Sequence, residues 1–368
     1  MTPRSESPGP LAGVKVLELV GIGPGPFAAM LLSDLGADVI GIRRPGLPPD
    51  LGGLQRGRPM IDVDLKNPDN VATVLALAEQ ADVLLEGFRP GITERLGLGP
   101  ADCHRVNPRL VYGRMTGWGQ SGPLALTAGH DITYIAVTGA LHAATRRGQV
   151  PVPPANLLGD FGAGGMYLVT AVLAALYESS RTGRGRVLDV AIADGTAYLA
   201  TMLFSMQDAG YWSDEAGTNV LDTGAPYYDV YPCADGRFVA IGALEPAFFA
   251  ALADLLDLDP AVRVNREDPA NWPSLRVAIA AALRGRDRDA WVTLAGHGDA
   301  CLAPVLSLTE ARENAHLLAR GVFGEQRLPR LPLAPGGPDP QLRETMGRWS
   351  MPPQLVSALD ALAGAGVR

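Results

Sequence analysis

The chain has 368 residues, 47% of them hydrophobic and 19% charged, with a formal net charge of −8. That length and balance fit a soluble enzyme with a large and a smaller domain. The acidic surplus leaves nothing to neutralise a nucleic-acid backbone, so a nucleic-acid partner is not expected. The three cysteines, Cys103, Cys233 and Cys301, are far apart and lack metal or redox spacing, which points to buried thiols in a reducing compartment. Met1 to Pro10 lacks the apolar core of a signal peptide. The apolar run Met166 to Tyr177 is too short for a membrane span and reads as a core helix. A cytoplasmic protein with no membrane partner is the expectation.

In chain order, Val14 to Val20 reads as a strand, Gly21 to Pro26 as a turn, Phe27 to Leu35 as a helix and Ala37 to Ile42 as a second strand. This strand–turn–helix–strand unit is parallel α/β. It recurs: a strand-like Met60 to Val63, a helix over Val71 to Ala81, a strand at Val83 to Leu85, a short helix over Ala101 to Val106 and a strand at Leu110 to Arg114. A long helix over Asp160 to Ser179 then leads to a strand at Arg186 to Ile192. Residues 1–190 are thus the first part of a large doubly wound domain, and 191–225, with an amphipathic helix over Asp194 to Tyr211, a connector. From Pro226 the pattern changes. Tyr227 to Tyr231 and Phe238 to Ile241 read as antiparallel strands around Asp235-Gly236. Helices follow at Pro246 to Leu255, Ser274 to Leu283 and Asp287 to Leu294, so 226–320 is a small α+β domain. Residues 321–340 contain a Pro/Gly-rich linker, and 341–368, with a helix at Pro353 to Leu362, return to the large domain.

The turn Gly21-Ile-Gly23-Pro-Gly25-Pro-Phe-Ala28 satisfies, from Gly23, the G-x-G-x-x-A form of the dinucleotide fingerprint. Pro24 and Pro26 spoil it, because they lack the N–H groups that would hold a pyrophosphate. Where a dinucleotide site has an acid for ribose hydroxyls, Arg43 and Arg44 stand. Two guanidiniums suit a phosphorylated ribose, which NADP and coenzyme A both carry. A tight turn with surface arginines is the plainer reading. Arg44, Lys66 and Arg89 each follow a strand, and ligands of open α/β sheets bind outside the carboxyl ends of strands. Each alone reads as a solvated charge; together they favour an anionic ligand. Gly117, before Trp118-Gly119, also follows a strand and lets a ligand approach the backbone closely.

Three segments carry proton chemistry: Gly129-His130-Asp131, Gly159-Asp160-Phe161-Gly162 and Leu244-Glu245-Pro246. The imidazole of His130 titrates near neutrality and can accept and return a proton, although a lone histidine is more often structural. Asp160 opens the long helix, where aspartate serves commonly as an N-cap. The following Phe-Gly-Ala-Gly-Gly weakens that helix, as if something must approach its backbone. Orphan N–H groups at the helix start are suited to a developing enolate oxygen. Glu245 precedes Pro246 at a helix start, where its charge is favourable in any case; beside His130 it would orient the imidazole. Met202 and Met206, four apart, suit a pliable floor for an acyl chain, though helical core explains the pair as well.

These segments, with Leu35-Gly-Ala-Asp-Val39, Asp62-Val-Asp-Leu-Lys66, Asp82 to Gly99, Thr116 to Gly122, Pro153 to Gly162 and Gly224-Ala-Pro-Tyr-Tyr228, resemble the family III coenzyme A transferases, and within them the bacterial α-methylacyl-CoA racemases, from about Leu11 to about His316. The resemblance implies a Rossmann-like large domain, a small domain and an interlocked homodimer acting in fatty acid metabolism. It implies His130 and Asp160 as the two bases, Glu245 as the histidine's partner, and Asn156, Asp131 and Tyr134 in support. It places Arg44 and Arg89 near the phosphates of coenzyme A and puts a basic residue in relatives where this chain has Gly41. The implied reaction interconverts (2R)- and (2S)-2-methylacyl-CoA through an enolate. It needs no metal and no cofactor beyond the coenzyme A of the substrate. The alternative is a CoA transferase in which Asp160 attacks the thioester and forms a mixed anhydride. An NADP-dependent oxidoreductase and a non-catalytic acyl-CoA binder are further readings, and neither accounts for the trio.

Overall fold

The computed structural model describes residues 9–46, 50, 52–323, 328–329, 348–352 and 355. By contacts the chain divides into two compact units. The first comprises Met1–Thr138, Pro153–Leu199 and Leu318–Arg368; the second comprises Gly139–Val152 and Ala200–Leu317.

The first unit is built on β1 (Lys15–Leu19), α1 (Pro24–Asp34), β2 (Asp38–Arg43), β3 (Met60–Asp62), α2 (Pro68–Ala78), β4 (Val83–Glu86), α3 (Ile92–Arg95), α4 (Pro100–Val106), β5 (Val111–Thr116) and α5 (Asp131–Val137). After the short α6 (Ala140–Ala143), which belongs to the second unit, come a π-helical segment (Leu157–Met166), α7 (Tyr167–Thr182), β6 (Val187–Ala191) and α8 (Ile192–Leu199). The six strands pair in the order β3-β2-β1-β4-β5-β6, and every pair is parallel. This is the doubly wound α/β fold expected from the strand–helix alternation. Inner strands of such a sheet are covered on both faces and so read as unbroken apolar runs. Val16, Val39, Val83 and Leu85 pack toward α1 and α7. Their neighbours Leu17, Ile40 and Leu84 pack toward α2 and α4, with Trp349 and Leu355 on the same side. Each fully buried leucine contributes about 1.5–3 kcal/mol relative to exposure. The Trp349 ring also takes the Lys15 Nζ at 5.5 Å. The helix expected over Pro353 to Leu362 lies, Leu355 apart, outside the described residues.

The second unit adds α9 (Thr201–Asp208), β7 (Tyr228–Pro232), β8 (Phe238–Gly242), α10 (Pro246–Leu255), α11 (Pro260–Arg263), α12 (Trp272–Leu283), α13 (Arg288–Ala295), β9 (Leu302–Pro304), α14 (Leu308–Arg312) and α15 (Ala315–Ala319). β7 and β8 form the expected antiparallel hairpin, and β9 adds a third strand that the sequence pattern did not reveal. α10, α12 and α13 cover the sheet through Phe249, Leu252, Leu275, Ile279 and Trp291.

The division of the chain differs from the expected one. Residues 139–152, read as part of the first domain, belong to the second unit. The buried Asp229 carboxylate receives Arg146 at 2.5 Å on one oxygen and Arg276 on the other, an attachment made across 83 positions of sequence. Residues 192–199 stay with the first unit as α8. α9 buries none of its residues, so a core explanation for Met202 and Met206 does not hold here. Cys103 and Cys233 are buried as expected, whereas Cys301 is exposed.

Candidate active site

A cavity of about 510 Å³ opens at the carboxyl ends of β1, β4 and β5. β1 and β4 are neighbours in the sheet with opposite directions of chain winding on either side, and this switch point is where open α/β sheets take their ligands. Its lining includes Gly21 to Pro26 after β1, Glu86 to Pro90 after β4, Thr116 to Trp118 after β5, Gly129-His130, Tyr134, Asn156 and Asp160.

Asp160 does not cap a regular helix, as its position after Gly159 led one to expect. It lies in the first turn of the π-helical segment, whose cap position is Asn156. The wide turn is marked by Phe161 N–H donating to the Asn156 carbonyl, five residues back, at 3.4 Å. Such turns concentrate at functional sites. Widening brings Asn156 round to the carboxylate, where its Nδ2 donates to Asp160 Oδ2 at 3.3 Å. The Asp160 N–H is already taken, donating to Asp131 Oδ2 at 2.7 Å, so that group is not the free enolate donor anticipated from the sequence. Gly159 is required here: a Cβ would lie 2.5 Å from the same Asp131 oxygen.

The glycines that weaken this helix make room for the protein's own elements. A Cβ on Gly164 would meet Pro24 and Ile192 at 3.1 Å, and one on Gly165 would meet the Phe27 ring at 2.5 Å. Phe27 in turn stacks on Phe161, centroids 4.7 Å apart. The dinucleotide-like turn therefore has a different task. Gly23, at φ +67°, sits against the acid, and a Cβ there would lie 3.1 Å from Asp160 Oδ2.

Burial raises the Asp160 pKa above the usual carboxylate range. The Asn156 hydrogen bond works against that rise, the nearby Asp131 charge adds to it, and His130 opposes it. His130 is the cap residue of α5. Its backbone N–H donates to Thr133 Oγ1 at 3.0 Å, and that hydroxyl donates back to the His130 carbonyl at 2.7 Å. Thr133 thus closes the turn, and His130 is exposed on the cavity wall. Tyr134, one turn on, meets Trp118 edge-on at 4.7 Å. It fills the space that a side chain at Gly117 would need. Burial raises the Tyr134 pKa, the Asp160 charge adds to the rise and Arg89 opposes it.

His130, Tyr134, Asn156, Asp160, Arg89 and Gly117 therefore line one cavity, with Asp131 buried behind them. Arg44 and Lys66 are exposed after β2 and β3, on the same rim but outside the lining. Arg43 is held by Asp62 at 2.7 Å. Gly41, where relatives were expected to carry a basic residue, is interior to β2. A Cβ there would meet the Met60 and Val20 side chains, which fill that space in this chain. Glu245 lies in the second unit, exposed, at the cap position of α10. Two acids escaped the sequence reading: Glu18 of β1 and Glu86 of β4, both buried and both lining the cavity. Their signal was a lone carboxylate in or at the end of an otherwise apolar run, Val-Leu-Glu-Leu and Val-Leu-Leu-Glu.

The sequence profile of CoA-transferase family III matches residues 11–356. The chain belongs to that family. It is 41% identical over 319 residues to the α-methylacyl-CoA racemase of Mus musculus, an alignment covering 86% of this chain and 84% of the relative. It is 31% identical to the acetyl-CoA:oxalate CoA-transferase of Acetobacter aceti, covering 88% and 87%. Among solved structures, a CaiB/BaiF family protein from Brucella suis superposes with a TM-score of 0.76 at 26% identity, covering 88% of this chain and 92% of that one. The chain is thus similar along most of its length to proteins named for two different reactions. The side chains around Asp160 must decide between them.

Proposed function

We propose that this protein is an α-methylacyl-CoA racemase, interconverting (2R)- and (2S)-2-methylacyl-CoA by two-base 1,1-proton transfer. The observation that carries the reading is that the His130 imidazole and Asp160, a half-buried carboxyl group whose pKa burial raises, line one cavity. The mouse relative bearing the racemase name supports it.

Removing a hydrogen α to a thioester carbonyl gives an enolate. One group takes the proton from one face, and an acid on the other face returns one. In one direction neutral His130 accepts the proton and protonated Asp160 donates. In the other, the Asp160 carboxylate accepts and imidazolium donates. Burial of Asp160 favours its protonated form, which suits the donor role. Asn156 restrains that tendency, keeping the carboxylate accessible for the return direction. Asp131 holds the Asp160 backbone, Tyr134 borders the thioester, and Arg89 and Gly117 flank the pantetheine and phosphate path, with Arg44 and Lys66 further out on the rim. For Glu245, the role of partner to the imidazole rests on the family resemblance alone. Coenzyme A belongs to the substrate, and the chemistry calls for no other cofactor. A cytoplasmic homodimer completes the proposal. Support for the dimer is the exposed apolar surface of Leu157, Met166, Tyr167, Leu173 and Tyr177 along one continuous helix. That helix is long and apolar enough to cross a membrane. Its Leu168, Val169, Val172 and Ala175 nonetheless pack in the core.

Proton NMR of the protein with one enantiomer of a 2-methylacyl-CoA in D₂O tests the reading. Loss of the α-proton signal with appearance of the other enantiomer is the expected result. No exchange, with transfer of coenzyme A to an added free carboxylate, would make Asp160 a nucleophile and the protein a transferase.

A further inference from the structure

Where Glu18 lines the cavity, it forms a buried ion pair that the proton chemistry does not use. Arg58 Nε donates to Glu18 Oε2 at 2.8 Å, and both side chains are at most 1% exposed. Arg58 Nη1 donates to the Leu54 carbonyl at 2.6 Å, and Nη2 donates to the Pro26 carbonyl at 3.1 Å. The second Glu18 oxygen, Oε1, is buried without a hydrogen-bond partner among the described residues. A buried pair of this kind is a poor way to gain stability, since apolar side chains of similar volume commonly do as well. It is, however, an effective way to fix three segments in one arrangement. The planar guanidinium offers donors in fixed directions that a lysine cannot copy.

The segment held through Pro26 matters most. Pro26 lies in the first turn of α1, next to Phe27, whose ring stacks on Phe161 immediately after Asp160. Three residues before Pro26, the Gly23 backbone runs so near the acid that an added Cβ would lie 3.1 Å from Asp160 Oδ2. The start of α1 therefore lies beside the acid and packs on the residue that follows it, and Arg58 sets where that start lies. We infer that Arg58, held by Glu18, is a positioning residue that fixes the first turn of α1 and through it the Asp160 carboxylate. It touches neither substrate nor reacting atoms.

This rests on the racemase reading, which supplies a sharp readout. When His130 removes the α-proton, the enolate is either reprotonated by Asp160, giving inversion, or by His130, giving exchange with retention. Displacing Asp160 alone leaves the second route open. The test follows each enantiomer separately in D₂O, reading α-proton loss by NMR and inversion by chiral chromatography, for wild type, Arg58→Lys, Arg58→Met and Glu18→Gln. For the enantiomer deprotonated by His130, the ratio of exchange to inversion is expected to rise at least threefold in Arg58→Met. A smaller rise of the same sense is expected in Arg58→Lys and Glu18→Gln. An unchanged ratio in folded variants, whether both rates fall together or neither falls, overturns the inference and leaves the racemase reading standing. If none of the three folds, the pair merely holds the fold and the positioning role is likewise lost. Absence of both exchange and inversion in the wild type instead overturns the racemase reading, and this inference with it.

Discussion

Substituting the glycines of the Gly21 to Pro26 turn one at a time separates two accounts of that turn. Gly23 has φ +67° and ψ −115°, a backbone that an L-residue adopts at a cost of about 1–3 kcal/mol. Its added Cβ would also stand 3.1 Å from Asp160 Oδ2 and 3.6 Å from Cγ, so the carboxylate must retreat by a few tenths of an ångström. Catalytic geometry is steep: a misplacement of about 1 Å costs about a hundredfold, and a third of that costs about fivefold. Gly25, by contrast, has nothing within 4 Å of its added Cβ and already lies in α1, where alanine is favoured over glycine by up to about 1 kcal/mol.

Gly23→Ala is therefore expected to lose about 1–3 kcal/mol of stability by urea unfolding and about fivefold or more in inversion rate. Gly25→Ala should match or exceed wild-type stability and keep its activity. A phosphate-cradling turn would show the reverse pattern, with both substitutions weakening CoA-ester binding. Gly23→Ala at full activity, or Gly25→Ala losing as much, would refute the assignment of this turn as the wall of the acid site.

Gly117→Ala forces the Tyr134 ring out of its place and away from its edge-on contact with Trp118; overpacking of this kind costs about 1–3 kcal/mol, and a shifted tryptophan emission with lowered stability is the expected signature. Asn156→Ala removes a hydrogen bond that lowers the Asp160 pKa while leaving the burial that raises it. The acid limb of kcat/KM, measured for the enantiomer that Asp160 deprotonates, should then move to higher pH, and a limb that stays or moves down counts against Asp160 as that base. In the second unit, Arg288 and the Ser307 turn hold the Glu310 pKa down, from 4.5 to about 2. A depressed carboxylate stabilises the fold above its ordinary pKa and loses that contribution as pH falls through its folded value. Glu310→Gln should thus be less stable than wild type at pH 6, with the difference shrinking between pH 4.5 and about 2; a gap independent of pH would show the ion pair to be idle.

Much of the large unit was readable because its strands are short, apolar and separated by helices of ordinary period. Val83 to Leu85 and Pro246 to Leu255 fall within a residue of their observed limits for that reason. His130 and Asp160 stood out because each is a titratable group among glycines. What escaped was set by contacts distant in sequence. The transfer of residues 139–152 to the second unit depends on Arg146 reaching Asp229, and nothing local marks that partner. The π turn at Asp160 is invisible to a 3.6-residue period because one extra residue per turn disturbs few apolar positions. The glycines after it were read as an opening for a ligand. They are instead filled by Pro24, Phe27 and Ile192, which composition alone does not distinguish.

The same carboxylate can serve two reactions, and its surroundings favour one. Attack on a thioester needs an ionised Asp160 free to approach the carbonyl carbon. Burial works against ionisation, and the neighbouring Asp131 charge works against it further. The Gly23 backbone runs beside the carboxylate, with room for no more than a Cβ at 3.1 Å, and Phe27 stacks on Phe161 in the turn that carries it, limiting its travel. A two-way proton carrier needs no travel; it needs a fixed place on one face of the substrate, from which it gives a proton in one direction and takes one in the other. His130, whose turn Thr133 closes, leaves an imidazole on the same cavity to complete the exchange. Restricted travel hinders a nucleophile and suits a stationary acid and base, and this asymmetry supports the racemase reading.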